Sequence, residues 1–461
     1  MPLSNTQMRD VESVLHPFTN LVKHRETGPV IFERGKGVFV YDDHGKDYIE
    51  AMSGLWCTGL GWGEEALVEA AAAQMRKLAY GHLFAGRSNE PAIALAEKLK
   101  EVAPFPVGRT FFANSGSEAN DTQVKLFWYI NHALGKPGRR KIISRDKGYH
   151  GVTMAAASLT GLPATHKGFG LPLDFVVFAE CPNYFRGAEA GESEEQFSAR
   201  MAANLEARIV REGPETIAAM IAEPLQGAGG VILPPKGYFP AIQKVLAKYA
   251  IALIGDEVIT GFARTGNWFG AETYKMKPDT MTVAKALSSA YLPISAVMVS
   301  PQLCDIIEAE SGHLGTFGHG YTYTGHPVSC AVALKTIEIY QQRDILGHVR
   351  KVSPHFLARL KKLEDHPMVM DANGVGLIGG MELVANKKTR AQCDPARAVA
   401  ATFSKFTEME GLISRPLIGD RIALCPPLII TDAEIDELFD RFERGLARGL
   451  EWARKEGLLQ P

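Results

Sequence analysis

The sequence predicts an α/β fold, with a large domain built on a mainly parallel sheet covered by helices and a smaller α+β domain beside it. Three observations lead there. Between about residues 60 and 327, short runs that are apolar throughout alternate with segments of helical period. Strands of that kind suit a sheet buried on both faces, which is the usual setting of parallel strands. From about residue 328 the alternation gives way to a long helical segment, then helices and short strands. At 461 residues the chain is also too long for one compact core.

In order along the chain, residues 1–59 hold a strand pair, "VFVYDDHGKDYIEAM", turning at His44-Gly45. We assign this N-terminal segment in space to the small domain, residues 60–327 to the large domain and residues 328–461 to the C-terminal part of the small domain. "EEALVEAAAAQMRKLAY" and "PAIALAEKLKEV" follow as helices, the second opened by Ser88 and Pro91. "RTFFAN" reads as a strand running into the helix "SGSEANDTQVKLFWYINHALG", which Gly135 can end. Six further strands are expected at "KIISRD", "DFVVFAE", "IAAMIAEP", "IALIGDEV", "DTMTVAK" and "ISAVMVS", with helices near 194–211 and 237–249 among them.

Composition narrows the function classes. A net charge of −2, with 46% hydrophobic and 22% charged residues, describes an ordinary globular protein with no broad field for nucleic acid or an anionic membrane. The first residues lack the apolar core of a secretory signal, and no apolar run approaches the roughly 18 residues of a membrane span. Six scattered cysteines form no CxxC pair, so neither a zinc spacing nor a disulfide framework is indicated, no metal is expected, and a reducing cytoplasm is the simplest expectation.

Three stretches carry chemistry. In "ANSGSEAND" a strand ends, a loop of small residues follows, and a helix starts at Ser117 and Glu118. The N–H groups of Ser115, Gly116 and Ser117 would face outward at the positive end of that helix, which suits a phosphate. An ordinary N-cap is the competing reading. In "IALIGDEVITGFARTG", Asp256 follows five residues of buried strand; it either caps the next turn or faces a heteroaromatic nitrogen that must stay protonated. In "TVAKALSSAYLPISAV", Lys285 is the one charged residue of sixteen. Desolvation would favour its neutral amine, the form that attacks an aldehyde, whereas a snorkelling lysine would reach water. Together, a phosphate cup, a strand-end aspartate and a strand-end lysine match the three anchors of pyridoxal phosphate. Tyr149 and His150 in "KGYHG" offer an aromatic face, "AEPLQGAGG" puts Glu223 at another strand end, and "GHGYTYTGHP" supplies the hydroxyls of Thr322 and Thr324.

These residues resemble a known family. "NSGSEAND", "YHG", "EPLQGAGG", "GDEVITGFARTG", "AKALSSAYLP" and "YTYTGHP" together are similar to the class III, fold-type I pyridoxal-phosphate aminotransferases, most of all the ω-transaminase branch that uses amines or ω-amino acids with pyruvate. The resemblance implies that Lys285 binds the cofactor aldehyde and later shuttles the substrate proton. It makes Asp256 the partner of the ring nitrogen and Glu223 that aspartate's acidic neighbour. It sets Val258 and Tyr149 on opposite ring faces, with His150 beside them, and Gly116 and Ser117 in the phosphate cup, completed by Thr322 from a second subunit. A homodimer with its sites at the interface, or a tetramer built from it, is the implied assembly. Two departures stand out: Ile259 occupies the place where ornithine-type members carry Gln, and Ala286 replaces the usual Gly after the lysine.

For the substrate, the resemblance points to Phe18, Trp56, Tyr149 and the small Ala228, with Phe84 reaching the neighbouring subunit's site. It makes Arg415, in "ISRPLIGD", a mobile clamp for an acceptor carboxylate, a task that fits its planar fork. Simple core packing for the aromatics and a solvated surface position for Arg415 are the alternatives. A ping-pong transfer from an amine or ω-amino acid to pyruvate is expected. A taurine- or diamine-type aminotransferase, a decarboxylase or racemase of the same fold, and a binding module without turnover are the competing functions.

Overall fold

The computed structural model describes residues 3–459. Its centre is a seven-stranded sheet of β1 (Arg109–Ala113), β2 (Lys141–Arg145), β3 (Val176–Ala179), β4 (Ile217–Ala222), β5 (Ala252–Asp256), β6 (Thr280–Val283) and β7 (Ser295–Val299). The spatial order is β1-β7-β6-β5-β4-β2-β3. Each strand falls within a run that the sequence marks as strand. β6, β5, β4, β2 and β3 are parallel, and β7 is antiparallel to both β6 and β1. Because β7 is reversed twice over, β1 points the same way as the other five. Six carboxyl ends therefore share one edge, and only β7 begins there.

Both faces of this sheet are buried. Side chains alternate across a strand, so Ile142 and Ile221 pack into one cluster with Val124, Phe127 and Ile130, while Ile143 and Met220 join the larger cluster on the opposite face. All six residues of β4 are buried, which explains why its sequence shows no alternation.

Beside it, Phe32–Lys36, Phe39–Asp42 and Asp47–Glu50 form an antiparallel meander. Residues Leu412–Ile413 join it in parallel, with Leu412 opposite Ile49 and Ile413 opposite Glu50. A further antiparallel sheet holds Val369–Val375, Ile378–Asn386, Arg421–Leu424 and Arg415–Leu417. The helix Pro327–Gln342 packs on Glu65–Lys77 and Glu90–Val102. Among the described residues no helix is long and apolar enough to cross a membrane.

Two helix starts differ from the sequence expectation. Asn89, not Ser88, caps Glu90–Val102: its Oδ1 accepts from the Ala92 N–H at 3.0 Å while its amide donates to the Gly325 carbonyl. The helix after β1 begins at Gly116 rather than Ser117, with Ser115 as its cap. In both cases two capping residue types lie close together, and the backbone angles decide between them.

Candidate active site

Where six strands end together, a cavity of about 480 Å³ opens. It is lined by Gly116, Ser117, Tyr149, His150, Glu223, Asp256, Val258 and Lys285, and on its other side by Phe18, Trp56, Ala228, Ile259 and Arg415. Its position obeys the rule that ligands bind outside the carboxyl ends of the strands in such sheets.

At the first anchor, the Ser115 hydroxyl accepts from the Glu118 N–H at 3.2 Å, so this side chain serves the helix rather than the cavity. Gly116 and Ser117 are then the first helical residues of an 18-residue helix. Their N–H groups have no carbonyl one turn back to bond, and the helix dipole adds positive potential there. A side chain at Gly116 would meet the Val258 methyls at 3.1 Å, so glycine lets these two walls approach. Gly151 (φ +132°) does the same against Ser117, whose hydroxyl would lie 2.4 Å from an added Cβ.

Asp256, the last residue of β5, is buried. Its Oδ2 meets the His150 Nδ1 at 2.7 Å and accepts from the Asn120 amide at 2.8 Å, while Oδ1 accepts from the Val258 N–H at 3.1 Å. Asn120 also donates to the His150 carbonyl, which fixes the pair. The sequence argument singled out Asp256 and His150 but missed Asn120. It lies inside the quoted "ANSGSEAND" motif, one helical turn from the cup and on the same face. Glu223 follows β4 and ties two loops to one another: Oε1 accepts from the Tyr149 N–H at 3.1 Å and Oε2 from the Gly227 N–H at 3.0 Å. Burial raises its pKa, with the neighbouring His150 and Arg145 opposing.

Lys285 sits in the turn after β6 with φ +51°, so the left-handed residue is the lysine itself rather than Ala286. Ala286 is buried and its carbonyl accepts from the Tyr340 hydroxyl at 3.0 Å. Burial pulls the Lys285 pKa down, and the nearby acidic groups, Asp256 and Glu223 among them, only partly offset it. Among the described residues no hydrogen bond or ion pair occupies its amine. A free, desolvated amine across one cavity from a fully bonded carboxylate, with an anion cup alongside, is the donor set that pyridoxal phosphate requires.

The other half of the cavity comes from distant segments. Trp56 is buried in a loop where Ser53 (φ +50°), Gly54 (φ +66°) and Trp56 (φ +67°) are all left-handed. Such a backbone persists only when its surroundings hold it. Here Glu50 does so, accepting the Gly54 N–H. Burial lifts the Glu50 pKa to about 8, against the pull of the Gly54 and Met52 N–H groups and the charge of Arg415. Arg415 lies on the strand Arg415–Leu417, its Nε buried without a partner. Ile259 packs with Trp56 and Leu225 and closes on Gly227. Phe84 and Thr322 do not line this cavity. Phe84 faces a separate cleft with Phe317 and His319, and the Thr322 carbonyl accepts from the Tyr80 hydroxyl.

Residues 21–446 match the family described as aminotransferase class-III. The chain belongs to this family. The class III aminotransferase described here is 48% identical over 447 residues to the tomato (Solanum lycopersicum) protein named gamma aminobutyrate transaminase 3, chloroplastic, covering 96% of this chain and 86% of that one. It is 49% identical to a rice (Oryza sativa subsp. indica) protein named as a probable mitochondrial gamma-aminobutyrate transaminase, over 93% and 84% of the two chains. The solved structure of an ω-transaminase from Pseudomonas jessenii in complex with PMP superposes with a TM-score of 0.95 at 46% identity, covering 97% and 99% of the two chains. The chain is thus a transaminase of PLP fold type I that uses pyridoxal phosphate.

Proposed function

We propose that this aminotransferase moves the amino group of an amine or ω-amino acid to pyruvate or a similar keto acid. The observation that carries the reading is Arg415. It is a guanidinium in the wall of an otherwise apolar half-cavity of Phe18, Trp56, Ala228 and Ile259, with no carboxylate in ion-pair range among the described residues. That wall accepts an uncharged amine side chain, and the guanidinium takes the carboxylate of a keto acid or of the far end of an ω-amino acid. The names of the plant relatives, which specify 4-aminobutyrate, and of the structural neighbours, which specify ω-transaminases, support the same substrate class.

In this reading Gly116 and Ser117 would hold the phosphate with backbone N–H groups, Val258 and Tyr149 would pack on the ring, and Asp256 would favour a proton on the ring nitrogen. Bound pyridoxal phosphate supplies an aldehyde and an electron-poor ring that weakens the C–H bond beside the amine nitrogen. Lys285, neutral because it is desolvated, removes that proton and returns it on the other side of the transfer. Phe84 and Thr322 serve the neighbouring subunit of a homodimer. The exposed apolar side chains of Leu78, Tyr80 and Phe84 support an assembly that covers them. Six unpaired cysteines fit a reducing compartment such as the cytoplasm.

A panel of donors against pyruvate tests the substrate class. Alanine should accumulate with 4-aminobutyrate, β-alanine and 1-phenylethylamine. Turnover only with ornithine and 2-oxoglutarate, or CO₂ release without alanine, would overturn the proposal. Light scattering coupled to gel filtration should give at least twice the chain mass.

A further inference from the structure

We propose that Asp10, His16 and His24 form a binding site for one divalent transition-metal ion, with Zn²⁺ the first candidate, that staples the N-terminal segment beside the cavity mouth. Two short helices build it. Asn5–Ser13, opened by a capping box between Ser4 and Gln7, carries Asp10; Leu21–Thr27, capped by Asn20, carries His24. The Gln7 amide donates to the Pro29 carbonyl at 2.8 Å, which closes the two helices into a hairpin. His16 stands in the connecting turn. Its Nε2 is 2.7 Å from the Asp10 Oδ2, and the His24 Nε2 is 3.2 Å from the same oxygen. The three donor atoms lie within 4.8 Å of one another. The side chains are sheltered without being sealed, at 26%, 10% and 19% exposure for His16, His24 and Asp10.

This geometry is close to that of a coordination shell. Metal bonds of about 2.0–2.2 Å set adjacent ligand atoms roughly 3 Å apart, so the trio needs little rearrangement. Two imidazoles with one carboxylate suit Zn²⁺ and its neighbours Co²⁺ and Ni²⁺ rather than Mg²⁺ or Ca²⁺, and leave a position for water. The competing account is hydrogen bonding alone, in which both imidazoles donate to a single carboxylate oxygen. A metal replaces those two contacts with bonds from both rings. What it would hold is the turn carrying Phe18, a residue at φ +49° that is largely exposed yet lines the cavity. Five and seven residues separate the three positions in the sequence, spread over two helices and the turn between them, so the folded hairpin reveals the set.

Calorimetric titration of the chelator-treated, cofactor-loaded enzyme with ZnCl₂ tests the site. One Zn²⁺ per chain should bind, and His16→Ala and His24→Ala should each weaken it at least tenfold. Zn²⁺ should also slow tryptic cleavage after the exposed Lys23 and Arg25. His16→Gln keeps a hydrogen-bond donor toward Asp10 but loses the imidazole. It should leave the metal-free cleavage rate unchanged and abolish the Zn²⁺ protection. Absence of stoichiometric binding would overturn the proposal. So would binding that persists in the His16→Ala/His24→Ala double variant, which would place the ion elsewhere. These readouts do not depend on which amine the enzyme uses.

Discussion

The two halves of the active-site cavity are built on opposite plans. The cofactor half rests on strand ends: Asp256 terminates β5, Glu223 follows β4, Lys285 follows β6, and the helix beginning at Gly116 follows β1. Its carboxylates are held by named donors, Asp256 by His150, Asn120 and the Val258 N–H, and Glu223 by the N–H groups of Tyr149 and Gly227. The substrate half is gathered from residues 18, 55–56, 228, 259 and 415–418, has a left-handed backbone around Trp56, and leaves the Arg415 Nε unpaired. A fixed network suits a group that stays in place through every turnover. An unpaired cation in an apolar wall suits a site that must take two different substrates in turn. Permanence and exchange demand opposite degrees of hydrogen-bond satisfaction.

If that division holds, damage to the cofactor half should be catastrophic for every substrate. Lys285→Ala should lower turnover by more than about 10⁴-fold, beyond the usual reach of general acid–base catalysis alone. The protein should stay folded by circular dichroism, and borohydride reduction should leave no phosphopyridoxyl adduct at position 285. Retained activity would place the chemistry elsewhere. Asp256→Asn keeps the shape but removes the charge from a network that includes His150. Losing one preorganised electrostatic partner of a developing charge costs about 2.7–4 kcal/mol, so kcat/KM should fall by roughly two to three powers of ten. The loss should be equal for charged and uncharged amines.

Damage to the substrate half should instead discriminate. Arg415→Ala removes a charged donor, and hydrogen bonds to charged groups are worth about 1.5–3 kcal/mol. The KM for pyruvate or 4-aminobutyrate should therefore rise roughly 10- to 100-fold, while the amine half-reaction of 1-phenylethylamine, followed by cofactor absorbance, should change by no more than a few-fold. A uniform loss across both classes would erase the distinction between the halves.

The same contrast explains what could be read from the chain beforehand. All seven strands of the large sheet were legible because burial on both faces leaves uninterrupted apolar runs, and the residues directly after them were legible because a charge is conspicuous there. Lys285 and Asp256 each allowed a bland reading alone, a snorkelling lysine and a turn cap, and became specific only as a set with the phosphate cup. Asn120 was hidden in plain view, since a polar residue early in a helix usually faces water. Glu50 was not legible at all. Nothing local to "DYIEAM" says that its strand will pair with residues 412–413 and so bring the carboxyl near Arg415. Phe84 was flagged only through family resemblance and Thr322 first as a loop hydroxyl, and both lie outside the cavity of their own chain.

Glu50 also supplies the finest test, because it joins the two plans: a buried carboxyl, bonded to the Gly54 N–H, at the base of the substrate half. Burial raises its pKa from 4.5 to about 8 in the folded protein. Between those values the folded chain holds a proton that the unfolded chain has released. The protonated carboxyl therefore contributes stability that is fully present below about pH 4.5 and is lost as pH rises through about 8. Glu50→Gln keeps an oxygen to accept the Gly54 N–H and cannot ionise. Relative to the parent, its melting temperature should rise by about four degrees between pH 5 and pH 8.5, with the two curves running parallel above that range. If the difference stays flat with pH, Glu50 is ionised when folded, and the Trp56 loop then rests on a carboxylate held by the Gly54 N–H rather than on a neutral acid.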